Sequence, residues 1–413
     1  MLNNILYKTE RSHFFYIWMS FLAALGLLGA YGLASSFFLS LEVLEFHVDI
    51  PWAMMISTYV FLVVSSTGLC IVTSLGHVFG RRDYGLIGRR GVFLAIITIV
   101  FGMTTITLHL GHPERSFFFY LTPNVTSAIW GMSFFYTFYI LFIMIEYWFL
   151  ARAELARTAN TSTGWKQAIY GLMTLGLRDE SREAVEKDHK FARRAGIAAL
   201  FAGLSAHSTL GAIFGHSESM PYWYGAYYPI YFLLSATFSG FAWMIAALVI
   251  TYRLERKEMS PELKRLVLEM GRVFVILLVV GMLFTLYKII SGFFHPAKAK
   301  TVMLFLDGRL SLPFYILETA IGTVIPILLV LYSLSREWMT GLMIASIMAL
   351  VGLFFMRYDF VVGGQIYPLF NNKPVPPVFP SLMEVFVIAG IFGGLFLVYT
   401  LAVKFLPLDE ESH

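Results

Sequence analysis

Three histidines are the side chains in this 413-residue sequence best suited to chemistry near neutral pH. His109 and His112 stand three residues apart at the close of an apolar run, hence on one face of a helix, and His207 lies past the middle of a later run toward the same end. Three imidazoles meeting there can bond loop backbone, ligate haem, or exchange protons with a small redox carrier. Haem needs two ligands facing one another at equal depth on different helices, which His109 and His207 only marginally allow. The other informative residues are charges inside apolar runs, which cost about 3 kcal/mol each on insertion scales and therefore face a bundle interior. Lys288, Glu318, Arg357 and Glu384 gather toward one end of their runs. Such a set either fixes helix packing by mutual neutralisation or marks a pathway, and Lys288 and Glu318 fall at matching depth on consecutive runs. Glu146, five residues from the opposite end of its run, is expected to snorkel, with proton uptake from the cytoplasm as the alternative.

The elements that must position these residues are membrane helices. Hydrophobic residues make up 58% of the chain, aromatic residues 17% and charged residues only 14%, against roughly a quarter charged in a soluble domain. Apolar runs of about 20 residues or more, enough to cross a bilayer, fall near 14–38, 52–78, 91–110, 126–151, 195–215, 223–252, 271–294, 312–334, 338–358 and 382–405. The fold expected is all-α and polytopic with ten transmembrane helices, the first being retained rather than cleaved as a signal peptide. Assigning Lys and Arg to the two sides puts 23 on the side of the termini and 7 on the other, so both termini are expected in the cytoplasm of a bacterial inner membrane. Loops 39–51, 111–125, 216–222, 295–311 and 359–381 then face the periplasm. The longest cytoplasmic loop, 152–194, reads as surface helices, apolar over 165–177 and charged over 178–190. A single cysteine, Cys70, cannot build a disulfide or a Cys-ligated metal centre, and charges interspersed with aromatics give no nucleic-acid surface.

Weak internal similarity organises the spans. The segment from Gly91 to His112-Pro113 resembles that from Gly271 to His295-Pro296, and Tyr59–Gly68 resembles Tyr231–Gly240, at offsets of 180 and 172 residues. Four helices separate the copies, which suggests two four-helix bundles of equal orientation plus two flanking helices. The expected division is a flanking helix and outer loop over 1–50, a first bundle over 51–218, a second bundle over 219–360, and an outer loop with the last helix over 361–413.

The run Leu108-His109-Leu110-Gly111-His112-Pro113-Glu114-Arg115, followed by Pro123-Asn124-Val125-Thr126-Ser127 and Trp130-Gly131 and preceded by Pro51-Trp52, resembles the NrfD/PsrC family, the membrane subunits of polysulfide reductase and related complexes. Ser205-Ala-His207-Ser208, Pro221-Tyr-Trp-Tyr-Gly225 and the segment Arg357 to Gln365 are similar to the ten-helix members found in alternative complex III and Qrc-type complexes. Where the family pattern has Asp and Arg, this chain has His109 and His112, so a carboxylate role does not carry over. The resemblance implies an anchor without haem or metal of its own that binds menaquinone or another quinone at the periplasmic end of the first bundle. It also implies a neighbouring periplasmic iron–sulfur, ferredoxin-like subunit, with a molybdopterin-type or multihaem cytochrome subunit beyond it.

Quinone chemistry asks for an apolar slot, hydrogen-bonding groups at two carbonyls and a source of protons. Candidates are His109, His112 and His207 for carbonyl contact and proton exchange, with Trp130, Tyr222 and Trp223 as aromatic walls. Glu146, Lys288, Glu318, Arg357 and Glu384 are candidates for a proton path or ion pairs. The direction of electron flow is not encoded. Two other classes compete: a secondary transporter with a midplane site, which breaks helices at Gly or Pro and here has only Pro326 as a strong candidate, and a haem b anchor.

Overall fold

In hydrocarbon every backbone N–H and C=O must be satisfied within the chain, so long apolar runs become helices. The computed structural model describes residues 13–39, 50–110, 112–369 and 380–409, and every regular element among them is helical. Among the described residues ten helices are long and apolar enough to cross a bilayer. They are α1 (His13–Leu39), α2 (Met54–His77), α3 (Gly88–His109), α4 (Ala128–Thr161) and α5 (Arg182–Gly215). The second half comprises α6 (Tyr227–Leu254), α7 (Pro261–Phe293), α8 (Pro313–Ser335), α9 (Met339–Ile366) and α10 (Leu382–Phe405). Lys8, Arg11, Gly111 and much of the loops expected at 39–51 and 359–381 lie outside the described residues.

Serine caps set several starts. The hydroxyls of Ser127, Ser181, Ser260 and Ser381 accept from the amides of Trp130, Ala184, Leu263 and Glu384, at the heads of α4, α5, α7 and α10. Pro261 then occupies the first turn of α7, where its missing N–H costs nothing.

At the centre α2 and α6 cross. The most apolar stretch of α2 is 94% buried and that of α6 78%, against 17% for α1 and 22% for α4. The crossing is close because both helices present glycine: a Cβ added to Gly68 would come within 2.8 Å of the Gly240 amide nitrogen. These two glycines are the pair related by the 172-residue offset. Around this centre α2 packs on α3, α5 and α9, and α6 on α7, α5 and α9, while α4 pairs with α5 and α8 with α9. Helices α1 and α10 pair with each other, backbone to backbone at Gly29 and Gly390, and α10 leans on α3.

Three boundaries differ from the hydropathy reading. The partners α4 and α5 continue well past the expected spans, so loop 152–194 is mostly their extension, with the short helix Trp165–Met173 between them. A buried ion pair holds that extension: Arg152 lies 2.5 Å from Asp188 and donates to the carbonyls of Leu177 and Asp179. Helix α9 runs to Ile366, eight residues beyond the expected end at 358. Arg357 and Asp359 depress the hydropathy there, yet both are about 1% exposed, so charges buried inside the protein mimic a loop. The first twelve residues of α8, Pro313–Val324, form a wide π turn that passes without interruption into α-helix at Ile325-Pro326.

Candidate functional site

Two polar assemblies lie in the half of the protein away from the basic loops, one between α7, α8 and α9 and one at the ends of α2, α5 and α9. In the first, Lys288 from α7 and Glu318 from the π turn of α8 form an ion pair at 3.7 Å, both buried. The ammonium also sits 5.9 Å from the centre of the Phe305 ring. Asp359 of α9 is within electrostatic reach of both, and its carboxyl oxygens accept no hydrogen bond among the described residues. Arg357 completes the set: its guanidinium lies 4.2 Å over the Phe232 ring and donates to the Ser235 hydroxyl. Two bases and two acids thus cancel formally, as burial in hydrocarbon requires. A void of about 20 Å³ borders Glu318, Tyr231, Thr285 and Thr323, room for about one water.

His207 reaches the same place from α5. It is fully buried on α5, and its Nε2 lies 3.0 Å from the Phe232 carbonyl oxygen, so His207 and Arg357 engage backbone and ring of one residue. Beyond it Tyr136, on α4, lies within electrostatic reach of Arg357, of Tyr59 and of Tyr139.

The second assembly is an aromatic junction. Trp52, just ahead of α2, stacks on Trp223 with ring centres 5.6 Å apart and planes 23° from parallel. Both also meet Phe214 edge to face. Gln365 clamps the Trp52 backbone, its Oε1 accepting from the amide at 3.2 Å and its Nε2 donating to the carbonyl at 2.6 Å. Trp223 is fixed in turn by donating to the Phe360 carbonyl at 2.8 Å. His109, at the last turn of α3, hydrogen-bonds to the backbone of Pro51, the residue beside Trp52. Tyr222, the neighbour of Trp223, lies between Tyr228 and Phe305 and within electrostatic reach of Glu318 and Asp359.

The three histidines do not form one cluster. His112 is exposed and pairs with Glu114 at 2.9 Å, and that carboxyl is held below its ordinary range by its own backbone amide and then by His112. His207 is spent on Phe232, and His109 stands at the aromatic junction. Trp130 lies apart too, donating to the Phe119 carbonyl and stacking on Phe134. Glu384 does not join Lys288 either: its Oε1 accepts from the Met55 amide at 2.8 Å, so it caps the amino end of α2 from α10. Glu146 does not snorkel but is buried, its Oε1 against Gly196, where any Cβ would displace it.

Residues 42–369 match the family described as polysulphide reductase, NrfD. The chain belongs to the NrfD family. This NrfD-family protein is 26% identical over 378 residues to a selenate reductase subunit of Mesobacillus selenatarsenatis, covering 87% of each chain. It is 23% identical over 408 residues to the Hdr-like menaquinol oxidoreductase integral membrane subunit of Archaeoglobus fulgidus, covering 94% of this chain and 92% of the relative. The NrfD-family chain is accordingly a transmembrane subunit of an oxidoreductase. Among its described residues no three His, Cys, Asp or Glu side chains converge as a metal-binding group.

The motif reading passes over three residues that build the site: Trp52, Gln365 and Asp359. The signal is present, since Pro51-Trp52 and the segment from Arg357 to Gln365 carry the family resemblance. Their role lies in contacts across more than 300 residues of sequence, between Trp52 and Gln365, which no spacing rule reveals.

Proposed function

We propose that this chain is the quinone-reactive subunit of a respiratory complex, exchanging electrons between menaquinone or a related quinone and a periplasmic iron–sulfur subunit. The observation that carries the reading is the junction of His109, Trp52, Trp223 and Gln365 at the bundle end away from the basic loops. A quinone takes up two electrons and two protons, and its ring needs flat apolar walls with hydrogen-bonding groups at their edge. The tryptophan pair supplies such walls. Its geometry is set by bonds to main-chain carbonyls and by the Gln365 clamp, so the rings are held before any ligand arrives. The bond to Pro51 ties the His109 imidazole to the residue next to Trp52, from where it would pass a proton to or from a carbonyl oxygen. The menaquinol oxidoreductase name of the archaeal relative supports the substrate class. The charge split of 23 to 7 supports cytoplasmic termini in a bacterial inner membrane, which turns the junction to the periplasm and toward an iron–sulfur partner.

Proton uptake from the cytoplasm belongs to the same proposal. Its support is a line of buried polar groups through the first bundle. Glu146, near the basic end, is within electrostatic reach of Cys70 and Tyr139, and the Tyr139 hydroxyl bonds Ser66 at 2.8 Å. Tyr136 follows, then Arg357 and the charged set around Glu318.

The test is His109→Leu in the intact complex. Quinone-linked turnover should fall about 10²-fold, the usual loss on removing an acid–base group, while the complex assembles and the partner's clusters are still reduced by their own substrate. Normal turnover in His109→Leu would reject the junction as the site.

A further inference from the structure

The short helix Trp165–Met173, between α4 and α5, presents its faces in the reverse of the order that a water-exposed helix needs. Trp165, Ala168, Ile169 and Leu172 share one helical face and all four are exposed, Leu172 by 75%, with Leu175 and Leu177 extending the stripe past the helix end. The other face is bonded to the protein. Gly171 is buried against the Arg178 guanidinium, the Tyr170 hydroxyl donates to the Phe405 carbonyl at 2.8 Å, and the Trp148 indole donates to the Met173 carbonyl at 2.9 Å. Leu175 holds φ at 52°, the left-handed position after a helix where glycine is the ordinary residue. Its side chain is 74% exposed, so packing within the chain offsets little of that cost.

The two anchors, Trp148 and Phe405, fix the depth of this stripe. Counted from the helix ends away from the basic loops, α4 rises about 30 Å from Ala128 to Trp148 and α10 about 35 Å from Leu382 to Phe405, at 1.5 Å per residue. A hydrocarbon core is about 30 Å thick, or about 40–45 Å with its headgroups, and helix tilt only lowers the two heights. The short helix therefore hangs at the headgroup boundary of the leaflet at the basic end. Its azimuth is outward, because Trp148 continues the face of α4 on which Phe134, Phe138, Leu141 and Met144 are all exposed. A water-soluble partner could not reach a stripe at that depth without entering the membrane itself. Residues 162–178 also hold Lys166 and Arg178 and no acid, a charge that phosphate headgroups attract.

From this we infer that Trp165–Leu177 is a lipid-surface site, whose apolar stripe inserts among the phospholipids of the leaflet at the basic end, at the level where headgroups meet acyl chains. Since Tyr170 and the Met173 carbonyl hold α10 and α4, the segment moors the basic ends of both helices to that leaflet. The inference is independent of the quinone junction, which lies at the other end of the protein.

The test is spin labelling of the intact complex in liposomes of phosphatidylethanolamine and phosphatidylglycerol, with collisional relaxation by oxygen, which partitions into lipid, and by a water-soluble nickel chelate. Ile169→Cys and Leu172→Cys carry the nitroxide on the outward stripe, where neither substitution disturbs packing. Arg182→Cys is the control, 94% exposed at the head of α5 and about 50 Å from that helix's far end at 1.5 Å per residue. The chain's own Cys70 is buried, and the wild-type complex labelled in parallel supplies the background. Oxygen should relax the labels at Ile169→Cys and Leu172→Cys more strongly than the chelate does, and the order should reverse at Arg182→Cys. Stronger relaxation by the chelate at either stripe position would place the stripe in water and overturn the inference. Labels shielded from both reagents would show a protein partner covering the stripe and would overturn it equally.

Discussion

Lys288 and Glu318, on the consecutive helices α7 and α8, face each other at 3.7 Å in the protein interior, with Asp359 and Arg357 as neighbouring charges. A pair of this kind is retained because removing one member strands the other in a medium that cannot solvate it. Lys288→Met or Glu318→Gln alone should therefore cost about 3–5 kcal/mol, and the double variant less than their sum. Thermal unfolding of the four members of this cycle in detergent measures the coupling. Strict additivity would show that the two charges are satisfied separately, by Asp359 and Arg357.

Glu384 sits at comparable depth but works differently, since it accepts the Met55 amide at the start of α2. Glu384→Gln should cost about 0.5–2 kcal/mol, the range for a lost cap with its favourable charge. Quinone-linked turnover should stay within about twofold, because uncoupled sites act independently. A collapse of turnover in a complex that still assembles would tie Glu384 to the chemistry instead.

The contrast between these two carboxylates shows what the sequence can convey. Span number and the pairing of Lys288 with Glu318 follow from hydropathy and depth counting, because a helix converts residue number into height. Azimuth is not encoded so directly. Glu384 shares the height of the charged set yet points to α2, and His112 lies on the helical face of His109 yet belongs to a surface turn with Glu114. The end of α9 escapes hydropathy for a related reason: the scale treats Arg357 and Asp359 as signs of water, whereas both are buried, Arg357 against Phe232 and Ser235 and Asp359 near Lys288 and Glu318. The tryptophan stack is partly legible, since Trp223 and the dipeptide Pro51-Trp52 both stand out. Their meeting depends on how α2, α6 and α9 cross.

Glu146 offers a separate test of energy coupling. Buried beside Gly196 with Cys70 and Tyr139 as neighbours, it is the titratable carboxyl on the line nearest the basic end. Complexes reconstituted in liposomes should generate a membrane potential during turnover, and Glu146→Gln should lose most of it while retaining cluster reduction by the partner. A potential-sensitive dye reports the difference. An undiminished potential in the variant would remove Glu146 from the route.

The central claim is that quinone meets this protein at the junction of His109, Trp52 and Trp223. Labelling the intact complex with a photoreactive menaquinone analogue and mapping the modified peptides tests it most directly. The account predicts label on the peptides that carry Trp52, His109 and Tyr222-Trp223, competed away by unmodified menaquinone. Competable label confined to the loops at the basic end, or to the residues around Lys288 and Glu318, would contradict it.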